Sequence, residues 1–337
     1  MRLMLTKRTM VCATGANTTI HAEPDHDNLR PFNSRRGFLM QKLLLLTSLC
    51  FASATVFALP DYEPFANATG SGGTSYTTGA NLIGQTDAAG LSWYQAGPGG
   101  NPQPTVAAGD LTVPGLYSAG GGQSAAFGGN GTSARLNLSV PAGGITAGTV
   151  YFSFAMKLTD LSGLTTGGQY WAGFNNAQGS QTTTPGTVVT RVMTRSATGG
   201  FNIGLQEGSQ TTLGNLAWNS SVFTTSDTIF LVGSYTFNPG TGDDVSRLWV
   251  NPDSSTFGAG SAPGGSLTSS GGTDIARAAS FVLYDRSANE PAGGLIDDLR
   301  FGLTWADVTP VPEPSILALS ALSLVGLLLR RFRGKSI

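Results

Sequence analysis

Apolar and polar residues alternate with a period of two through the middle of the chain. In the run from Val150 to Leu158, one parity carries Phe152, Phe154, Met156 and Leu158. This is the pattern of a strand with one buried face. Leu248 and Val250 alternate with Arg247 and Trp249 in the same way. Runs rich in β-branched and aromatic residues, separated by Gly, Asn, Ser and Asp, predict strands over 134–140, 149–158, 169–174, 187–194, 201–206, 228–237, 246–251, 279–284 and 295–305. Helical periodicity is scarce. Many strands with turn residues between them indicate an all-β, antiparallel β-sandwich or jelly roll. Residues 59–132 are looser and rich in Gly, Ser and Thr. Their best strand is 111–116, which Pro114 confines to a sheet edge or strand end. Trp93, Tyr94, Leu116, Tyr117 and Phe127 favour edge strands and long loops of the same domain over a disordered linker.

The two ends break this pattern. Residues 40–58 read as a signal peptide: Lys42, an apolar stretch from Leu43 to Val56, and small or β-branched residues before a cut between Ala58 and Leu59. Residues 1–39 carry basic residues and no apolar period, and they read as an upstream extension if translation starts at Met40. The alternative is a twin-arginine signal around Arg35 and Arg36. At the other end, residues 316–329 are apolar or small. As a helix they would span roughly 21 Å, less than the hydrocarbon core of about 30 Å. Arg330, Arg331, Arg333 and Lys335 follow as a basic stop-transfer tail, which the positive-inside rule keeps cytoplasmic.

Pro312, Glu313 and Pro314, followed by the short apolar helix and the Arg-rich tail, resemble the PEP-CTERM sorting signal. The resemblance spans 311–335 and is specific through its order, spacing and basic tail. It implies an exported protein of a Gram-negative bacterium that makes exopolysaccharide. Such a protein passes the secretion translocon and signal peptidase and is held transiently at the inner membrane. An exosortase then cuts it near the Pro-Glu-Pro and delivers it to the envelope, cell surface or extracellular matrix. The expected organisation is an extension (1–39), a signal peptide (40–58), an exported β-sandwich (59–310) and a sorting signal (311–337) with its transmembrane helix at 316–329.

Composition narrows what the body can do. Both histidines, His21 and His26, and both cysteines, Cys12 and Cys50, precede Leu59. A body trimmed there has no His-dependent triad, thiol nucleophile, Cys/His metal site or disulfide. Residues 59–310 hold eight basic and sixteen acidic side chains, a net charge of −8, against −1 for the whole chain. Without a basic surplus, nucleic acid is excluded as the expected partner.

The segment 228–252, a strand, a polar turn with Asp243 and Asp244, and a second strand, resembles the concanavalin A-like or laminin-G-like jelly-roll group, as does the late strand at 295–305. The resemblance covers roughly 134–307. It implies two antiparallel sheets, an early strand paired with the last one, and sugars or proteins bound on a sheet face or rim. No residue pattern supports catalysis. A glycosidase needs two carboxylates at fixed separation. Glu63, Glu207 and Glu290 begin no Glu-x-Asp-x-x-Glu motif, and on a regular strand Asp297 and Asp298 point to opposite faces. A lyase would have only Lys157 and no His. No cofactor is expected. Calcium has weak candidates in Asp243 and Asp244, with Asn238 in the same turn, and a second turn holds Asp285, Asn289 and Glu290. Ordinary turn formation is the preferred reading of these residues. Of Tyr170 and Trp171, one is expected to face outward. The expected role is therefore a non-catalytic surface or exopolysaccharide-matrix protein. The alternatives are a carbohydrate-binding module for matrix glycan and, behind it, a glycan hydrolase or lyase.

Overall fold

The long strand β6 (Gly148–Asp160) buries Val150, Phe152, Phe154, Met156 and Leu158 on one side, as its alternation requires. In the computed structural model, which describes residues 59–66, 76–87, 90–140, 143–208 and 216–312, this strand lies at the centre of the first of two sheets. Its neighbours are β11 (Ile229–Phe237) and β15 (Gly293–Gly302). Beyond β11 come β12 (Val245–Val250) and β13 (Leu267–Ser270). Beyond β15 come β4 (Gln123–Phe127) and β3 (Thr105–Ala108), with β1 (Asp61–Glu63) on the remaining length of β15. The second sheet runs β10 (Ala217–Trp218), β9 (Gly200–Gln206), β8 (Val188–Ala197), β7 (Gln169–Asn175), β14 (Ser280–Leu283), β5 (Ala134–Asn137) and β2 (Trp93–Gln95). Every strand pairing is antiparallel. The result is the all-β sandwich of jelly-roll type expected from the sequence, with early strands β1 and β4 on the last strand, β15.

An aromatic layer joins the sheets. Phe152 and Phe154 of β6 meet Phe281 of β14 at centroid separations of 5.1 and 5.8 Å. Phe152 also meets Phe174 at 5.2 Å, and Phe154 meets Trp171 at 5.8 Å. Each such ring, buried from water, contributes on the order of 1.5–3 kcal/mol. Gly233, opposite Phe152 in β11, makes room for it: a Cβ there would lie 2.1 Å from the ring.

The outer face of the first sheet is roofed. Trp249, Phe230 and Val232 project from it and are covered by Leu116, Phe257, Trp305 and Val308. Trp305 opens a one-turn helix, α1 (Trp305–Val308), whose cap Thr304 exchanges hydrogen bonds with Asp307. The indole N–H of Trp305 donates to Thr256 O at 2.8 Å, and Ser153 Oγ donates to Val308 O at 2.6 Å. The chain then stays pinned to this roof: Gly258 N donates to Thr309 O at 2.7 Å and Tyr117 N to Pro310 O at 2.8 Å.

Three expectations are corrected. Residues 111–116 form no strand: Leu111 N donates to Asp297 Oδ2, Pro114 has no N–H, and Leu116 N closes a turn onto Val113 O. The last strand ends at Gly302, because the capping box at Thr304 starts a helical turn that carries Trp305. Asp297 and Asp298 do not obey strict alternation. A β-bulge interrupts the pairing of β15 with β6 between Asp297 and Arg300, and Asp298 has φ +55°. Both carboxylates thereby reach partners on the outer side of the first sheet.

Gly233→Ala is expected to lower stability by about 1–3 kcal/mol through overpacking against Phe152. Gly186→Ala, where a Cβ meets nothing within 4 Å, should change it by less than about 0.5 kcal/mol. Urea melts of the two variants check the difference.

Candidate functional site

The outer face of the second sheet differs from the roofed one. Its outward positions carry Tyr170 on β7, Arg191 and Arg195 on β8, Asn202 and Gln206 on β9, and Trp218 on β10, with Arg286 on the rim loop after β14. Strand parity sets this arrangement: Val192 and the neighbouring Phe201, Ile203 and Leu205 fill the core, so Arg191, Arg195, Asn202 and Gln206 must face away from it. Tyr170 takes the outward place and Trp171 the core place.

The guanidinium groups lie on aromatic rings. Arg191 sits 4.1 Å from the centroid of Tyr170 and Arg286 4.3 Å from the same ring. Arg286 is also 4.4 Å from the ring of Tyr284, which meets Tyr170 edge-on at 5.5 Å. Arg195 lies 4.4 Å from the ring of Trp218. Two glycines allow the Trp218 ring to lie flat on the sheet. A Cβ at Gly204 would meet it at 2.4 Å, and one at Gly168 would meet it at 2.6 Å. Cation–π contact of this kind contributes about 0.5–2 kcal/mol each and fixes the guanidinium plane.

The polar partners of these arginines differ. Arg135, fully buried, donates to Gly179 O, Asn175 Oδ1 and Gln181 Oε1 and thereby anchors the loop after β7. Arg191 donates to Val188 O at 2.8 Å and Gln206 Oε1 at 2.9 Å. Arg195 donates to Asn202 Oδ1 at 3.2 Å. Arg286 pairs with Glu290 at 3.4 Å, and its Nη2 is buried with no hydrogen-bond partner among the described residues.

The acidic candidates are built into the framework. Asp243, Asp244 and a third residue that sequence spacing did not single out, Asp274, bring carboxylate oxygens within 4.8 Å of one another. Their oxygens accept from backbone N–H groups of Gly240, Asn238, Gly242 and Asp244, and Asp244 also accepts from Tyr235 Oη. The Asn238 and Gly240 bonds shape the turn itself, while Tyr235 ties Asp244 to β11 and Asp274 ties the turn to a segment some thirty residues away, so the three carboxylates converge as part of the framework. In the second turn, Asp285 accepts from Gly128 N at 2.8 Å and Glu290 from Arg286 N at 2.9 Å, while Asn289 is exposed. Asp297 accepts from Leu111 N at 2.8 Å, and Asp298 accepts from Tyr62 Oη and pairs with Arg300 at 3.3 Å. Both are 2 % exposed or less, beneath residues 110–119. Glu63 accepts from Tyr76 Oη, Trp93 Nε1 and Phe65 N. Trp93, Trp171, Trp249 and Trp305 are buried, leaving Trp218 as the tryptophan nearest solvent.

Of the end signals, Leu59 packs against the core and Pro312 closes the described chain. Ala58, Glu313, Pro314, the apolar helix and the basic tail lie outside the described residues. Among the described residues no helix is long and apolar enough to cross a membrane.

Burial pushes Glu63, Asp285 and Asp297 up to about 8, and Glu207 and Glu290 up to about 7. An acid raised in the folded state binds more protons folded than unfolded, so stability falls as pH rises from the unfolded value near 4 to the folded value. The domain is therefore expected to melt at least ~3 °C lower at pH 8 than at pH 5, the shift for about 1 kcal/mol in a domain of this size. Thermal melts at the two pH values check the sign, and a higher melting temperature at pH 8 contradicts it.

Comparisons with known proteins agree with the C-terminal reading. No curated protein is similar to the chain. Among solved structures, the chain is similar to the T. cruzi calreticulin globular domain (12% identity, TM-score 0.34, covering 64% of this chain and 86% of that one). It is also similar to the Emp47p carbohydrate recognition domain (13%, 0.30, covering 64% and 98%). Likeness to the receptor binding domain of botulinum neurotoxin D is at 14% identity and TM-score 0.31, covering 61% of this chain. The match spans 45% of that domain's chain, less than half its length. At these values the likenesses say nothing about ligand. Residues 310–333 match the PEP-CTERM protein-sorting motif, and the chain is thus a jelly-roll-like β-sandwich carrying the sorting signal of exported, exosortase-processed proteins.

Proposed function

We propose that this protein is a non-catalytic component of the cell surface or exopolysaccharide matrix, exported as a precursor and released to its site by exosortase. The sorting motif at 310–333 carries this reading. The fold supports it in two ways. First, β1 begins at Asp61, just after the expected signal-peptidase cut between Ala58 and Leu59. The other end of the body is pinned as far as Pro310, directly ahead of Pro312-Glu313-Pro314. These bounds fit a body lying between the two expected processing sites. Second, the carboxylates that a glycosidase would use are engaged in hydrogen bonds that hold loops to sheets, and Asp297 and Asp298 lie beneath a loop rather than in a cleft.

Carbohydrate binding is the second reading: the outer face of the second sheet carries polar and aromatic residues, Arg195, Gln206 and Trp218 half-buried among them, in place of the apolar roof that covers the first sheet.

Glu313→Ala is expected to leave the precursor uncleaved at its C-terminal end. Intact-mass measurement of protein from an exosortase-bearing host should find residues beyond 314 in the variant and not in the parent. Equal C-terminal masses contradict the processing reading. The purified protein should release neither reducing ends nor unsaturated sugars from a polysaccharide panel, and release of either overturns the non-catalytic assignment.

A further inference from the structure

Asp243 and Asp244 lie in the turn between β11 and β12, and Asp274 follows β13. A fourth acid, Glu207, follows the end of β9, where its N–H donates to Ser269 Oγ of β13 and the two sheets meet. Among the described residues no Lys or Arg forms an ion pair with any of the four. Glu207 is 0% exposed, and its Oε1 is buried with no hydrogen-bond partner among the described residues. Its other contacts place it on the buried side of the aspartates. Glu207 Oε2 accepts from Gly272 N, and the Gly272 carbonyl lies beside Gly242, whose N–H donates to Asp274. Burial raises the Glu207 carboxyl, and the like charges of Asp274 and Asp244 raise it further. Tyr235 Oη donates to Asp244 and feels the charge of Glu207 as well. Arg191, which acts on Glu207 from further off, is held by Val188 O, Gln206 and the Tyr170 ring. Like charges gathered without a counter-ion cost free energy, and a buried carboxylate oxygen without a partner costs more.

We infer that Asp243, Asp244, Asp274 and Glu207 form a binding site for a divalent cation of the calcium class, which fastens the β11–β12 turn and the segment after β13 to the end of β9. The inference is independent of the surface role proposed above. Oxygens bound to one calcium at about 2.3–2.6 Å lie no more than about 5 Å apart. The three aspartates meet that limit, with one oxygen of each within 4.8 Å of the others. Glu207 adds its unpartnered oxygen from the buried side. The framework bonds do not use these carboxylates up, because an ionised carboxylate has about four lone-pair sites. They hold the oxygens in place before an ion arrives, which lowers the ordering that binding requires. The donors are all hard oxygens, and residues 59–310 contain no His or Cys, so calcium or magnesium suits the site and zinc or copper does not. Calcium fits better of the two, since it accepts irregular geometry and water can complete its shell on the exposed side at Asp243, whereas magnesium demands a near-ideal octahedron. Sequence spacing brings only Asp243 and Asp244 together; Asp274 and Glu207 join them through the pairing of β12 with β13 and the contact of β13 with β9.

The test is titration of the full chain, stripped of metal with a chelator, with calcium chloride alone, followed by calorimetry and by thermal melting. A single saturable site should appear, and saturating calcium should raise the melting temperature by mass action. Asp243→Asn, whose amide oxygen can keep the bond from Gly240 N, should weaken binding about tenfold or more, the effect of losing one charged partner. Glu207→Gln, which keeps an acceptor for Gly272 N, should do the same. In chelator both variants should melt cooperatively within a few degrees of the stripped parent, which separates binding from folding. Asp243→Asn decides alone if Glu207→Gln does not fold. Magnesium should bind about tenfold or more weakly than calcium. Asp160→Asn, exposed at the end of β6, should leave calcium binding unchanged. No saturable binding at millimolar calcium overturns the proposal. Equal weakening by Asp160→Asn shows diffuse attraction to an acidic surface and overturns it as well. Undiminished binding in both site variants places the ion elsewhere, with the same consequence. Magnesium bound as tightly as calcium overturns the assignment to the calcium class.

Discussion

The packing of Phe152 and Phe154 against Phe281, Phe174 and Trp171 is the contact on which the rest of this molecule depends. It sets the separation of the two sheets, and so it decides which parity of every strand faces inward. Once β6, β7 and β14 commit one face to this layer, the outward residues of β7, β8 and β9 are forced to the opposite side. The position of Tyr170, Arg191 and Arg195 follows from the core and needs no separate cause. Gly233 is the clearest sign of how closely the layer is fitted, since a single methyl group there would overlap the Phe152 ring.

The two outer faces solve the same problem differently. The first sheet has apolar residues on its outside, and the chain covers them with Trp305, Phe257 and Leu116. The same segment leads into the sorting motif, so the C-terminal exit is fixed to the folded body. The second sheet has arginines stacked on aromatic rings in place of a full apolar roof. Buried carboxylates join loops to both sheets: Asp297 holds Leu111, Asp285 holds Gly128, and Glu63 ties β1 to Tyr76 and Trp93. They are costly to ionise, which makes the domain one that favours mild acid.

Much of this was legible from residue order. The long strands announced themselves through alternation, and the nine expected from pattern correspond to β5, β6, β7, β8, β9, β11, β12, β14 and β15. The short strands β1, β2, β3, β4, β10 and β13 did not, because two to five residues, as in Thr105–Ala108, carry too little alternation to stand out from Gly- and Ser-rich surroundings. The segment 111–116 misled for the opposite reason: its apolar residues cover the roof and the Asp297 loop without pairing. Asp297 and Asp298 were misread because a bulge, set by backbone conformation at Asp298, breaks the period. The sorting motif was readable because its signal is linear. The arginine face was not, because Arg191, Arg195, Trp218 and Arg286 come together only through the fold, and of the two glycines that seat Trp218 one lies on β9 and the other just before β7.

Hydroxyl-radical footprinting of the full chain tests most directly the central claim that the aromatic layer leaves one sheet's outer face under an apolar roof and the other without one. The account predicts oxidation of the half-buried Trp218 well above that of Trp249, Phe257 and Trp305, which are at most 7 % exposed. Labelling of Trp249 and Trp305 equal to that of Trp218 would contradict it.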